Sequence, residues 1–147
     1  MRYCSAQLDI LSIMASPMQA LVLSSFENRK IVPVVKAALA DSGIQTISLD
    51  EDILPGAMWA SAISDAIYRA DLVVVDLSTE NANIMYELGF AHALRKPTII
   101  LASRASNSKI PSDLAGFPYL FYDPQDPTGL VRELRGWIAH LAARRAS

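Results

Sequence analysis

Apolar positions along this chain alternate between two rhythms: short runs that are continuous or of period two, and longer stretches of period near 3.6. Residues 20–26, ALVLSSF, form a brief apolar run with a polar finish. Residues 28–43, NRKIVPVVKAALADSG, carry helical periodicity, with Pro33 in the first turn and Gly43 at the stop position. IQTISL at 44–49 alternates as a strand does, residues 50–59 read as a turn-rich loop, and SAISDAIYRAD at 61–71 is amphipathic and helical. DLVVVDLS at 71–78 has the unbroken hydrophobicity of a strand covered on both faces. A helix follows over 81–94, NANIMYELGFAHAL; Arg95 and Lys96 place positive charge at its end, and Pro97 forbids its continuation. TIILA at 98–102 is a further strand, 103–118 a long loop with room for one helical turn, YLFYD at 119–123 a fifth strand, and 126–143 a closing helix.

Five strands separated by helices predict an α/β fold: a single doubly wound five-stranded parallel sheet with right-handed crossovers in flavodoxin-like order. The domain is expected over residues 19–147. Residues 1–18 read as a leader in which Met14 and Met18 both precede the first convincing strand, which leaves two readings, a partly disordered segment or a misassigned start.

Within this pattern Glu87 stands out. At helical spacing Ile84, Glu87, Leu88 and Ala91 share one stripe, the i, i+3, i+4, i+7 pattern of a face turned toward the core. A carboxylate there costs free energy unless a partner or a shifted pKa relieves it. The preceding strand places Glu87 near the carboxyl edge of the sheet, where open α/β folds bind ligands. Other candidates at that edge are Ser24, Ser25 and Phe26 after the first strand, Asp52 and Trp59 in the loop after the second, and Asp76, Ser78, Asn81 and Asn83 after the third.

Composition narrows the chemistry. Thirteen Lys and Arg against fifteen Asp and Glu give a formal net charge of −2, which disfavours nucleic acid as a partner. The single cysteine, Cys4, cannot close an internal disulfide, and with two scattered histidines, His92 and His140, no metal site is expected. Asp9 interrupts what would have to be a signal-peptide core, and no apolar run approaches the ~20 residues of a membrane helix, so the expected compartment is the cytoplasm, with no membrane partner. No G-x-G-x-x-G follows the first strand and no G-x-x-x-x-G-K-[ST] occurs, which argues against a nicotinamide-dependent dehydrogenase and a P-loop NTPase. The absence of a G-x-S-x-G elbow and of a Cys/His pairing argues against acyl transfer. A carboxylate among amides and hydroxyls remains, an inventory suited to glycosidic-bond chemistry.

Residues 52–78, DILPGAMWASAISDAIYRADLVVVDLS, resemble the loop, helix and strand of TIR domains, in which D-x-x-P-G precedes a helix and a strand ending in Leu-Ser. NANIMYELGFAHALRKPTIIL at 81–101, followed by IPSDL at 110–114, resembles the bacterial TIR-like and nucleoside 2-deoxyribosyltransferase-like group. The resemblance spans about residues 20–141. It implies that Glu87 is the catalytic residue, since the helix glutamate is catalytic in both relatives. Catalytic TIR domains cleave nicotinamide from NAD, whereas the transferases exchange or hydrolyse the base of a deoxynucleoside.

One departure separates these branches: the transferases and their nucleotide-hydrolase kin carry an aspartate eight residues before the Asp of the Ala-Asp pair, and that slot here is Ile63. Their acidic or hydroxyl residue six before the glutamate is Asn81. The missing aspartate favours the TIR-like branch. The expected activity is thus that of a nucleotide N-glycosidic bond hydrolase of NAD nucleosidase type. A deoxyribosyltransferase or deoxynucleotide N-hydrolase is one alternative, and a non-catalytic nucleotide-binding or assembly module another. NAD or another nucleotide would be the substrate, with no cofactor and no metal. Its ribose would lie against Glu87, residues 52–59 would partly cover it, and Ser24, Phe26 and Asn83 would orient phosphate or sugar. The resemblance further implies a homo-oligomer and a role in bacterial antiphage or stress signalling.

Structural roles compete with each assignment. Glu87 could be a carboxylate hydrogen-bonded to loop amides, and Asp76 suits a strand terminus or loop organiser as well as a ligand contact. Trp59 and Tyr86 could stack a base or pack in the core. Asn81 and Asn83 are natural cap and turn residues; were Asn83 the N-cap, its capping-box partner would be Tyr86, so capping does not explain Glu87. His92 lies ~140° around the helix from Glu87, which argues against a dyad.

Overall fold

The computed structural model describes residues 16–49, 57–106, 114 and 116–146. Five strands, β1 (Gln19–Leu23), β2 (Gln45–Thr46), β3 (Leu72–Asp76), β4 (Thr98–Ser103) and β5 (Tyr119–Tyr122), form one sheet in the order β2-β1-β3-β4-β5. Every pairing is parallel, with Val74 opposite Val22 of β1 and Ile99 of β4. This is the flavodoxin-like order expected from the strand–helix alternation.

Among the described residues four helices cover the sheet: α1 (Ile31–Asp41), α2 (Ala57–Arg69), α3 (Ala82–Ala93) and α4 (Pro127–Ala146). Strand parity sorts the side chains into two cores. Leu72, Val74, Ile99, Leu101 and Leu120 pack with Val35, Leu39 and Leu134 from α1 and α4. Leu21, Val73, Val75 and Ile100 pack with Ile63, Ile67, Ile84 and Leu88 from α2 and α3. Central β3 has both faces covered and is buried at every position, the physical reason its sequence reads as continuous hydrophobicity.

Several boundaries differ from the sequence expectation. β1 stops at Leu23, and Phe26–Asn28 form a 3-10 turn, with Asn28 N donating to Ser25 O. β2 keeps only two ladder residues, although Gln45 N donates to Met18 O and Ile47 N to Ala20 O at its ends. α2 begins at Ala57, ahead of the amphipathic stretch at 61–71, and so takes Trp59 out of the expected loop and into a helix. α4 runs on to Ala146.

Two turns are closed by left-handed residues. Gly43, at φ 73°, ends α1 as its position predicted, while Ile44 N returns to Leu39 O. Arg95, at φ 54°, plays the same part after α3 without the freedom of glycine, and Lys96 N closes the turn on Ala91 O. The Lys96 ammonium then reaches sideways, donating to Tyr68 O at 2.5 Å and Ala70 O at 2.9 Å. It therefore serves the carboxyl end of α2, where cations are favoured by the helix dipole, as well as following its own helix. Among the described residues no helix is long and apolar enough to cross a membrane.

Candidate active site

The position of Glu87 is set by the start of α3. Asn81 is the N-cap: its side-chain oxygen accepts from Asn83 N at 3.0 Å and Ile84 N at 3.2 Å. Asn83 therefore lies inside the first turn, and the capping alternative that assigned it the N-cap is corrected. With the helix so phased, Ile84, Leu88 and Ala91 enter the core, and a second stripe, Asn83, Tyr86, Glu87 and Phe90, turns toward α2. α2 answers with Ala60, Ile63, Ser64 and Ile67. Each set follows i, i+3, i+4, i+7 spacing, so two helix faces enclose a cavity of about 190 Å3.

Glu87 is the only carboxylate among the described residues lining this cavity. Burial pushes its carboxyl up to about 7, and desolvation is the cause of the shift. Ser64 has turned its hydroxyl onto Ala60 O at 3.0 Å, which leaves the α2 wall apolar in effect. Tyr86 stands at the mouth with 75% of its surface exposed, a ring that core packing does not use. Among the described residues the arrangement holds one carboxyl group in a mainly hydrocarbon groove beside an unengaged aromatic face. Chemically it can hold and stabilise a positive centre, because a carboxylate short of water gains most from an opposite charge.

Asp76 belongs elsewhere. It has the parity of Leu72 and Val74, whose side chains face α1 and α4, and it is 3% exposed. Its Oδ1 accepts from Ser78 Oγ at 2.5 Å, Ser78 N at 3.2 Å and the Tyr122 hydroxyl at 3.4 Å, and Asn28 Nδ2 donates to its Oδ2. Burial raises its pKa, and these hydrogen bonds oppose the rise. Ser78 Oγ also accepts from Ser103 N at 2.7 Å, and the Ser106 hydroxyl donates to Ser78 O. The network ties the carboxyl ends of β3, β4 and β5 to the turn after β1, the loop-organising role that competed with ligand contact in the sequence.

Of the residues singled out from sequence, Glu87 and Asn83 share the groove, while Asp76 and Ser78 share the network on the other face. Asn81 caps α3. Ser24 Oγ donates to Ser25 O and Asn28 O, each at 3.3 Å, and Phe26 is exposed with the Arg29 guanidinium 4.3 Å from its ring centroid. Asp52 lies outside the described residues, and of Trp59 only the backbone position in α2 is described. His92 is stacked on Phe117 at 4.4 Å and burial lowers its pKa, consistent with its expected separation from Glu87. Sequence reasoning did not assign Ser64, Ile67 or Phe90 to the site, although the matching stripes on the two helices were a signal for them. Asn28 and Tyr122 carried no local signal. A wider, shallower groove of about 610 Å3 lies between α1 and α4, with the exposed Arg132 and Arg135 on its wall, and it has no buried polar group to define a ligand.

Comparison with known proteins adds family information. A family model described as TIR domain matches residues 22–135. Among curated proteins none matches this sequence. A CMP N-glycosidase from Clostridium botulinum has a similar structure, with 17% identity over 81% of this chain and 98% of the other, at a TM-score of 0.66. The TIR domain of a Toll-related receptor from Hydra magnipapillata is similar at 22% identity, 79% and 97% coverage and a TM-score of 0.60. A 2-deoxyribosyltransferase from Bacillus psychrosaccharolyticus is similar at 18% identity, 75% and 89% coverage and a TM-score of 0.57. At these identities the likeness is one of fold.

Proposed function

This chain belongs to the TIR domain family, and from that premise we propose that it hydrolyses the N-glycosidic bond of a nucleotide, with NAD as the substrate and Glu87 as the catalytic residue. The observation that carries the proposal is the placement of Glu87 as the one carboxylate among the described residues of an apolar groove between α2 and α3. In the proposed reaction the C1′–N bond of the nicotinamide riboside breaks and both its electrons pass to the ring nitrogen. Nicotinamide departs neutral, and positive charge develops on the ribosyl C1′ and ring oxygen. The Glu87 carboxylate stabilises that charge or captures C1′ as an ester. Water then supplies the new C1′ oxygen and releases a proton to solvent.

Asn83, the polar group beside Glu87 on its own helix stripe, is the proposed partner for sugar hydroxyls, and Tyr86 the face against which a ring stacks. Ser24, Phe26, Asp52 and Trp59 remain proposed contacts for the rest of the nucleotide. Among the described residues the groove holds no second acid for protonating a neutral base, which supports NAD over a deoxynucleoside. Assembly of like chains is proposed alongside this activity.

The test incubates wild type and Glu87→Gln at high protein concentration with NAD and with a panel of deoxynucleosides, and identifies the released base by chromatography. Nicotinamide release by wild type, reduced on the order of 10²-fold or more by the substitution, is expected. Release of a nucleobase from the panel instead would move the chain to the transferase or N-hydrolase reading. Binding without turnover would make it a nucleotide-binding module. A Gln variant within a few-fold of wild type would remove Glu87 from the chemistry.

A further inference from the structure

We propose that residues 1–15, which lie outside the described residues, dock as an amphipathic helix in the groove between α1 and α4. Docking there covers the face of the sheet opposite the Glu87 groove, and it holds whether or not Glu87 is catalytic.

The sequence of this segment divides into two helical faces. At ~100° per residue Arg2, Ser5, Asp9 and Ser12 gather within about 80° of the circumference. Every other residue of the segment except Gln7 is apolar, and Tyr3, Ala6, Ile10 and Ile13 repeat the same spacing on a second stripe. Ser16 and Pro17 are not helical, as expected where a proline follows. A helix of this length is marginal in water, so its apolar face needs a surface on which to be buried.

The groove between α1 and α4, about 610 Å3, offers such a surface. Gly136, Ala139 and Ala142 are exposed along α4 and too small to fill it, while Ile138 lies buried beneath them. Small side chains at a helix surface let a second helix approach closely. Arg132 and Arg135 on the wall keep its rim polar, the arrangement in which an amphipathic helix lies in a groove.

Length and attachment point select the occupant. The lining runs along α4 from Thr128 to Ala142, about 21 Å of helix, and fifteen helical residues span about 22 Å. Met18 lines an adjoining cavity with Ile138, Leu141 and Arg144, and Ile138 belongs to both cavities. The segment is therefore tethered through Ser16–Met18 beside the end of the groove, which gives it a high effective concentration there. It would run parallel to α4, because α4 ends close to the point where β1 begins.

The chain's single cysteine, Cys4, allows a direct test in the full chain by a spin label and NMR. With Ser16 set beside Ala142, Cys4 comes level with Leu130, so the label should broaden amide signals most strongly toward the Thr128 end of α4 and least on α2 and α3. Ile10→Glu, on the apolar face of the segment, and Ala139→Glu, on the exposed floor of the groove, should each abolish that broadening. Each should also lower Tm by about 3 °C or more, and the pair together by no more than the larger single shift, because both break one contact. Absence of broadening on α4, broadening strongest on another surface, broadening that survives both substitutions, or additive Tm shifts overturns the proposal. A mixture of spin-labelled chains with isotope-labelled chains that carry no spin label separates the remaining occupant. Broadening of α4 in that mixture would assign the groove to the segment of a second copy and overturn docking within one chain.

Discussion

Asp76, the last residue of β3, and Glu87, in the helix that follows it, sit on opposite sides of the sheet. Asp76 faces the α1/α4 layer within a network of four hydrogen bonds, and Glu87 faces α2 across an apolar groove. Burial raises the pKa of both, yet the partners differ: one carboxyl is held by donors and the other meets none among the described residues. The contrast separates an acid that organises loops from an acid left available for chemistry.

The first prediction concerns pH and rate. If the Glu87 carboxylate must be ionised to stabilise the ribosyl cation, turnover of NAD should rise with pH through about 7 as a single ionisation and then level off. The residual rate of Glu87→Gln should be flat over the same range. A wild-type rate that falls through that range would make Glu87 a proton donor instead.

A second prediction links the same group to stability. Its folded pKa, about 7, stands above the unfolded value near 4.5, so the folded state binds the extra proton. The stability fully present below 4.5 therefore declines as pH rises, reaching a deficit on the order of 3 kcal/mol above 7, or less to the extent that solvent reaches the groove. Glu87→Gln should accordingly unfold at a higher temperature than wild type above pH 7, and thermal scans should show the gap closing toward pH 4.5. A gap that persists unchanged at acid pH would mean that the raised pKa is not its source.

For Asp76 the expectation is a structural loss. Asp76→Ala strands donors from Asn28, Ser78 and Tyr122 in a buried place and should cost about 2–4 kcal/mol in denaturant titration. A loss below about 0.5 kcal/mol would show that the network contributes little to holding the strand ends together.

Asn81 offers a test that separates capping from ligand contact. Asn81→Ala removes the acceptor of two helix N–H groups and should lower stability by about 1 kcal/mol, while Asn81→Asp, which keeps the acceptor, should restore it. A large rise in KM in the Asp variant with stability intact would instead point to a contact with substrate.

Lys96 was legible only as a charge after its own helix. Lys96→Met should cost about 1–2 kcal/mol through the loss of two hydrogen bonds to the end of α2, a change that chemical denaturation can measure.

Periodicity and turn chemistry, read within windows of ten or so residues, were enough for the alternation of strands and helices, the doubly buried β3, the glycine that ends α1 and the anomalous carboxylate of α3. The same information missed the early start of α2, because Ala57 to Ala60 follow Pro55 and Gly56 and read as part of a loop. It also left the choice of N-cap open between Asn81 and Asn83, since both residue types accept from helix N–H groups and only the backbone phase decides between them.

By itself, then, the amino-acid order determined the alternation of helical and extended segments and the core stripe of Ile84, Leu88 and Ala91, because both are properties of local backbone geometry. The tertiary structure alone decided what lies across from each stripe. That Ile63 shares a cavity with Glu87, that Tyr122 and Asn28 converge on Asp76, and that Lys96 caps a neighbouring helix all follow from the crossovers that bring distant segments side by side. A local pattern carries no record of its partner: strand parity and helix phase say that a face is turned inward, and only the packed sheet says against what.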